Sequence, residues 1–173
     1  MAKMPDNRST KTGGFTLLEL MITMAIAGII LGIAVPSFQA FMQNGRMTSS
    51  FNELQKTIKI ARDEAVARNT KVTLCATADG TTCSNSNTWE TGYLVAVSSP
   101  FTLISTHQGL ADDQTLRAPG STASLTFIEN GTLRTNSSFL LCDERGTEHS
   151  RGLILSMGGV RMAEENDNLG NCP

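Results

Sequence analysis

A single carboxylate inside an apolar stretch is the most chemically demanding feature of this sequence. Between Phe15 and Val35 the chain reads FTLLELMITMAIAGIILGIAV, and Glu19 carries its only charge. An acid in an apolar membrane helix costs about 2 to 3 kcal/mol and calls for a partner. Phe15, four residues earlier, lies on the same helical face. Immediately before it stand Gly13 and Gly14, and a glycine ahead of a scissile bond offers a protease an extended backbone with no side chain in the way. The plainer alternative makes Glu19 an interfacial residue of an ordinary anchor. The other reactive groups are Cys75, Cys83, Cys142 and Cys172, an even set that follows the apolar run. In a translocated region such a set reads as disulfides, with three pairings open. The favoured pairing joins Cys75 to Cys83 across a polar loop and Cys142 to Cys172 at the tail. No C-x-x-C occurs and His107 and His149 lack ligand spacing, so no metal or cofactor is assigned. No G-x-S-x-G, H-E-x-x-H or phosphate-cradling glycine loop occurs either, and no catalytic residue is assigned.

The elements that must position these groups follow from the pattern of apolar residues. The chain has 173 residues, 40% hydrophobic and 17% charged, an average that fits a soluble domain and hides the anchor. At about 1.5 Å per residue the run from Phe15 to Val35 just crosses a hydrocarbon core of roughly 30 Å. Before it, Lys3, Arg8 and Lys11 outnumber Asp6. That basic flank predicts a cytoplasmic N-terminus, with the remainder on the far side of the membrane. The formal net charge is −2, and without the basic leader the rest is more acidic still, so no broad nucleic-acid footprint is present.

Within the run, Gly28 and Gly32 form a small-x-x-x-small pair where helices approach closely. Pro36 removes a backbone donor and is expected to kink or locally break the helix. Beyond it, Met47, Phe51, Leu54, Ile58, Ala61 and Ala65 recur every three or four residues with polar residues between them. This is an amphipathic helix that needs a sheet to lie on and should end near Asn69. The rest reads as short strands at Val72–Ala76, Tyr93–Val97, Phe101–Ser105, Leu125–Arg134, Phe139–Cys142 and Gly152–Ser156, with Asn130-Gly131 as a two-residue hairpin signal. Thr81–Thr88 and the tail from Ala163 read as mobile segments. The expected fold is α+β: a long N-terminal helix, membrane-spanning in its first half and amphipathic in its second, on a β-rich head. The expected organisation is a leader over 1–14, a membrane or filament-core helix over 15–35, an amphipathic helix over 36–69 and a head over 70–173.

A basic leader ending in glycine, an aromatic residue after it and a glutamate four positions further on resemble the signal of type IV pilins and pseudopilins. The resemblance implies cleavage between Gly14 and Phe15 by a membrane-embedded prepilin peptidase, which then methylates Phe15. It implies that Glu19 meets the N-terminal amine of a neighbouring subunit and sets its register. It also implies that the stretch from Gly28 to Pro36 lends the filament flexibility. The phrases from Phe139 through Cys142-Asp-Glu-Arg145 and from Ser150 to Arg161 resemble the head of the GspH/FimT group. The sequence is identified on these phrases as a FimT/FimU-type minor pilin, with a GspH-like minor pseudopilin of type II secretion and a DNA-binding competence pilin, contacting DNA through Arg161, as the alternatives. The implied role is non-catalytic: pilus assembly or priming in a tip complex, and through it twitching motility, adhesion or transformation. Implied partners are the inner membrane, the prepilin peptidase, other major and minor pilins and the assembly platform. The implied location is the bacterial inner membrane with a periplasmic head, then the pilus. Some FimT-type pilins bind DNA through a G-R-x-R phrase. Here Gly158-Gly159-Val160-Arg161 keeps only Arg161, and Glu164, Glu165 and Asp167 follow it, an acidic neighbourhood that opposes phosphate binding.

Overall fold

The computed structural model describes residues 14–120, 122–164, 167 and 169–172, so the leader over 1–13 lies outside the described residues. The chain divides into two compact units that meet between Gln43 and Asn44. Helix α1 covers Leu17–Arg68, 52 residues. Thr16 starts it, accepting the Glu19 N–H on Oγ1 at 3.2 Å while its carbonyl accepts from Leu20, the N-cap role that suits a threonine. Asn69 ends it with φ of 48°. Its N–H bonds the Val66 carbonyl, and Thr70 N–H bonds that of Ala65. That pair of bonds is a Schellman closure with asparagine in the left-handed position.

The break expected at Pro36 does not occur, and the assigned helix runs through it. Proline at this position frees only the Gly32 carbonyl and presses its ring toward that same residue. One turn on, Ser37 Oγ donates to the Ile33 carbonyl at 3.1 Å.

The head unit is built on the second half of α1. Met47, Phe51, Leu54, Ile58, Ala61 and Ala65 are all buried there, the stripe that periodicity marks. Among the described residues eight strands follow: β1 Val72–Ala76, β2 Gly92–Ser98, β3 Phe101–Gln108, β4 Gln114–Arg117, β5 Ser124–Phe127, β6 Ser137–Asp143, β7 Arg151–Ser156 and β8 Gly159–Met162. They form two antiparallel sheets, ordered β3-β2-β1-β5 and β4-β6-β7-β8. The helix stripe, Leu74, Tyr93, Val95, Leu116, Leu125, Phe139, Leu141, Leu153 and Leu155 share one core. Trp89 anchors it, packed edge-on to Phe139 at 4.8 Å and donating its indole N–H to the Thr122 carbonyl at 2.9 Å. A buried aromatic with a polar atom is stable there because that donor is satisfied.

Two further expectations change. Asn130-Gly131 is not a two-residue hairpin loop. Gly131 N–H bonds the Ile128 carbonyl and Ile128 N–H bonds that of Thr132, with Gly131 at φ 76° and Asn130 at negative φ. The type I′ turn needs both central residues at positive φ, so the chain uses a three-residue loop with a glycine bulge instead. Beyond it the partner arm reduces to a single bridge, Phe127 to Leu133. Strands β4 and β8 are not among the expected strands, because β4 turns Gln114 inward and β8 offers only the four residues Gly159–Met162.

The loop read as mobile is, in turn, heavily bonded. Asp79 accepts from the backbone of Thr81 and Thr82 and from the Thr77 and Thr82 hydroxyls. Those bonds, the backbone ones from Thr82 and Thr81 first, hold its carboxyl well below the usual range.

Candidate functional site

The described part of the first unit is an apolar helix with nothing over it. Phe15 is 85% exposed, and Leu17, Leu18, Ile22, Met24, Ile29, Leu31 and Ile33 are all at least half exposed. The most apolar window of α1 has a mean hydropathy of 2.3 and no buried residue. At roughly 25 cal/mol per Å² of apolar surface, such a helix is stable only when lipid or other helices cover it. A Cβ built on Gly28 or Gly32 meets no atom within 4 Å, so whatever close approach these glycines permit lies outside the chain's own packing.

Gly14, Phe15 and Glu19 are exposed at the start of this helix. The spacing Thr16-x-x-Glu19 is that of a capping box. The Glu19 N–H, given to Thr16 at 3.2 Å, therefore ties the acid's own residue to the first turn. Thr16 is a positioning residue that the sequence reading passed over, although a Ser or Thr three residues before a Glu was legible.

In the head, disulfides join Cys75 to Cys83 and Cys142 to Cys172, separated by 8 and 30 residues. The Cys142-Asp-Glu-Arg145 phrase acquires a physical role. Cys142 holds the tail, while Asp143, 7% exposed, accepts from the Arg145 guanidinium, with Nε at 2.9 Å. Burial raises the Asp143 pKa, but the hydrogen bonds and charge of Arg145 outweigh it and leave the carboxyl below its ordinary value. Arg145 also donates to Asn44 Oδ1 at 2.9 Å. The end of β6 is thereby pinned to the first helical turn of the head. Glu90 and Arg117 form a second partly buried pair.

Arg161 lies on β8, exposed, with its guanidinium bonded twice to Asp167 at 2.6 and 2.8 Å. The bond from Arg161 first, then the Glu164 N–H, lowers the Asp167 carboxyl to about 2. Arg161 is thus already engaged by the tail, and a phosphate would have to displace a carboxylate to reach it. His107 stacks on Tyr93 with centroids 4.7 Å apart and planes 6° apart. Burial, then the charge of Glu53, raises the Tyr93 pKa, so both rings serve packing.

An apolar, uncovered helix in the first unit and, in the second, an amphipathic helix packed within a disulfide-tied antiparallel head define a type IV pilin-like protein. The chain belongs to the family described as type II transport protein GspH, whose model matches residues 50–159, and the prokaryotic N-terminal methylation motif matches residues 9–35. Among solved structures it is similar to the type IV minor pilin FimU of Pseudomonas aeruginosa, at 25% identity and TM-score 0.59, over 72% of this chain and 92% of that one. The minor pseudopilin EpsH of the type 2 secretion system of Vibrio cholerae shares the fold at TM-score 0.51 and 8% identity, over 70% of this chain and 99% of that one. A fimbrial protein of Pseudomonas aeruginosa is 35% identical over 68 residues, 39% of this chain and 44% of its own length. The chain therefore matches less than half the length of that curated relative. Pilin-family proteins are structural, and the chain is a type IV pilin or a GspH-like pseudopilin by family and fold.

Proposed function

We propose that this chain is a minor pilin of a type IV pilus, inserted in low number with other pilins to prime or cap the fibre. The observation that carries the reading is the bare apolar helix with one acid in its first turn. An uncovered membrane helix alone is an anchor. With a carboxylate at Glu19 it becomes a subunit awaiting a cationic partner, because the acid is tolerable in lipid only when paired. In this mechanism the prepilin peptidase cuts between Gly14 and Phe15 and methylates Phe15. Glu19, held in the first turn by Thr16, then meets the amine of a neighbouring subunit. Gly28 and Gly32 admit close helix approach in the fibre core, and Pro36, which leaves the Gly32 carbonyl unpaired, gives that stretch its compliance. The head remains periplasmic until assembly and meets neighbouring heads in the fibre.

The higher identity to FimU than to EpsH supports the pilus over the secretion reading. The Arg161–Asp167 pair argues against DNA as the ligand of the tail. Two measurements test the proposal. Intact mass should show a chain beginning at methylated Phe15, and an uncut Met1 or a cut beyond Val35 would refute it. Deletion should impair piliation, and Glu19→Ala should reduce recovery of the chain in sheared fibres. Loss of protein secretion with normal piliation would assign it to a type II system instead.

A further inference from the structure

The head holds an open groove of about 780 Å³ between the second half of α1 and the β7–β8 edge. Its floor is unusual. Antiparallel register places Val160 opposite Leu155 and Met162 opposite Leu153, and residues directly opposite share a sheet face. Leu153 and Leu155 are core residues at 0% and 1% exposure, yet Val160 and Met162, on that same inward face, are 44% and 57% exposed. The core face of β8 is therefore left without a cover. Among the described residues β8 is also the last strand of its sheet.

Its outer side is chemically defined, and there Arg161 Nη1 donates to the Met162 carbonyl at 3.2 Å. Ala163 N–H bonds the Gly152 carbonyl, so by the alternation of antiparallel ladders the N–H groups of Val160 and Met162 point away from β7. The helical wall facing this floor carries Lys56, Lys59 and Arg62 against Asp63. Lys56 is loosely matched to Glu53 at 3.7 Å, and among the described residues Lys59 and Arg62 have no ion-pair partner.

We infer that this groove receives an extended acidic segment of another protein subunit, which adds as a strand to β8 beneath the Lys56–Lys59–Arg62 wall. The main chain of the segment satisfies the outward N–H groups of Val160 and Met162. Every second side chain of the segment faces the groove; an apolar one among them covers those two residues, and glutamates two positions to either side of it reach the three cations. An exposed edge strand with an apolar inward face is the usual template for strand addition, and side-chain pockets give the specificity. Duplex nucleic acid fits less well, since its rigid backbone would leave Val160 and Met162 uncovered and would compete with Asp167 for Arg161. The inference concerns the head alone and does not depend on Glu19 or on leader processing, so either can fail without the other.

The test uses the full chain in detergent micelles and a fluorescein-labelled peptide whose groove-facing positions, every second residue, alternate glutamate and valine with serine between them, followed by anisotropy. The same peptide with lysine in place of glutamate and a labelled DNA duplex serve as the other probes. Lys56→Glu/Lys59→Glu should weaken the glutamate peptide by on the order of tenfold, because two exposed pairs become two repulsions. The same variant should bind the lysine peptide better than wild type does. Val160→Ser, at an exposed position, removes apolar cover without adding charge and should weaken both peptides, and unfolding midpoints should confirm that each variant is folded. Hydrogen exchange at Val160 and Met162 should slow in the complex. No binding of the glutamate peptide, equal affinity in wild type and the charge-reversed chain, unchanged exchange at β8, or tighter binding of the duplex at the same residues would each overturn the inference.

Discussion

Removing the tail disulfide should cost more than removing the loop disulfide, and by an amount set by chain length. Cys142–Cys172 spans 30 residues and Cys75–Cys83 spans 8. The chain-entropy relation gives about 3.6 kcal/mol for closing the first loop in the unfolded ensemble and about 2.5 kcal/mol for the second. Cys75 and Cys142 are both buried, at 0% and 3% exposure. Loss of sulfur packing is therefore similar in the two cases and nearly cancels in the difference of about 1 kcal/mol. Alanine is the replacement of choice, since a buried serine would add an unsatisfied hydroxyl.

The assay is urea unfolding of the full chain in detergent, read by Trp89. It is the only tryptophan and fully buried, and its indole bond to Thr122 breaks on unfolding. With a slope of about 2 kcal/mol per molar urea, Cys142→Ala/Cys172→Ala should lower the midpoint by about 1.8 M and Cys75→Ala/Cys83→Ala by about 1.2 M. Equal shifts, or the reverse order, would refute the loop-length argument. They would mean that the Asp79-centred bonds in the short loop, and not the tail closure, carry the difference.

Leu153→Ala, at 0% exposure in the centre of the core, should cost about 2 to 5 kcal/mol by the same assay, and a loss below 1 kcal/mol would show that the core collapses around the cavity. Gly131→Ala should cost about 1 to 2 kcal/mol, because φ is 76° and the new Cβ would lie 2.7 Å from Val66 Cγ2. A neutral result would mean that the turn rearranges without strain. The Arg161–Asp167 pair should be pH-dependent in one direction. The folded carboxyl sits at about 2, below an unfolded value of about 3.9. Its contribution is complete above the unfolded value and is lost as pH falls from there through about 2. Carboxyl carbon shifts should report that midpoint for Asp167, and one near 3.9 would show that the tail is not docked on β8.

The sequence by itself determined the apolar helix, its lone acid, the amphipathic stripe from Met47 to Ala65 and the α+β class. Each is written in local spacing, where a charge, a break or a period of 3.6 has a direct physical cost. The Schellman end at Asn69 and the Thr16 cap belong with them, since both depend on neighbours within a turn. Only the tertiary structure decided the rest. The Asn130-Gly131 pair fits two hairpin geometries, and the choice fell to the bulge that gives Arg134 N–H the Thr126 carbonyl. Strand β8 alternates Val160 and Met162 with Arg161 over only four residues, too short a run to read alone, and β4 hides behind an inward Gln114 bonded to Ser50 at 2.7 Å. Arg161 meets Asp167, and Arg145 meets Asn44 across 101 positions, because sheet register sets those distances. Long-range pairing costs loop entropy that the whole core repays together, and no short window of sequence records that sum.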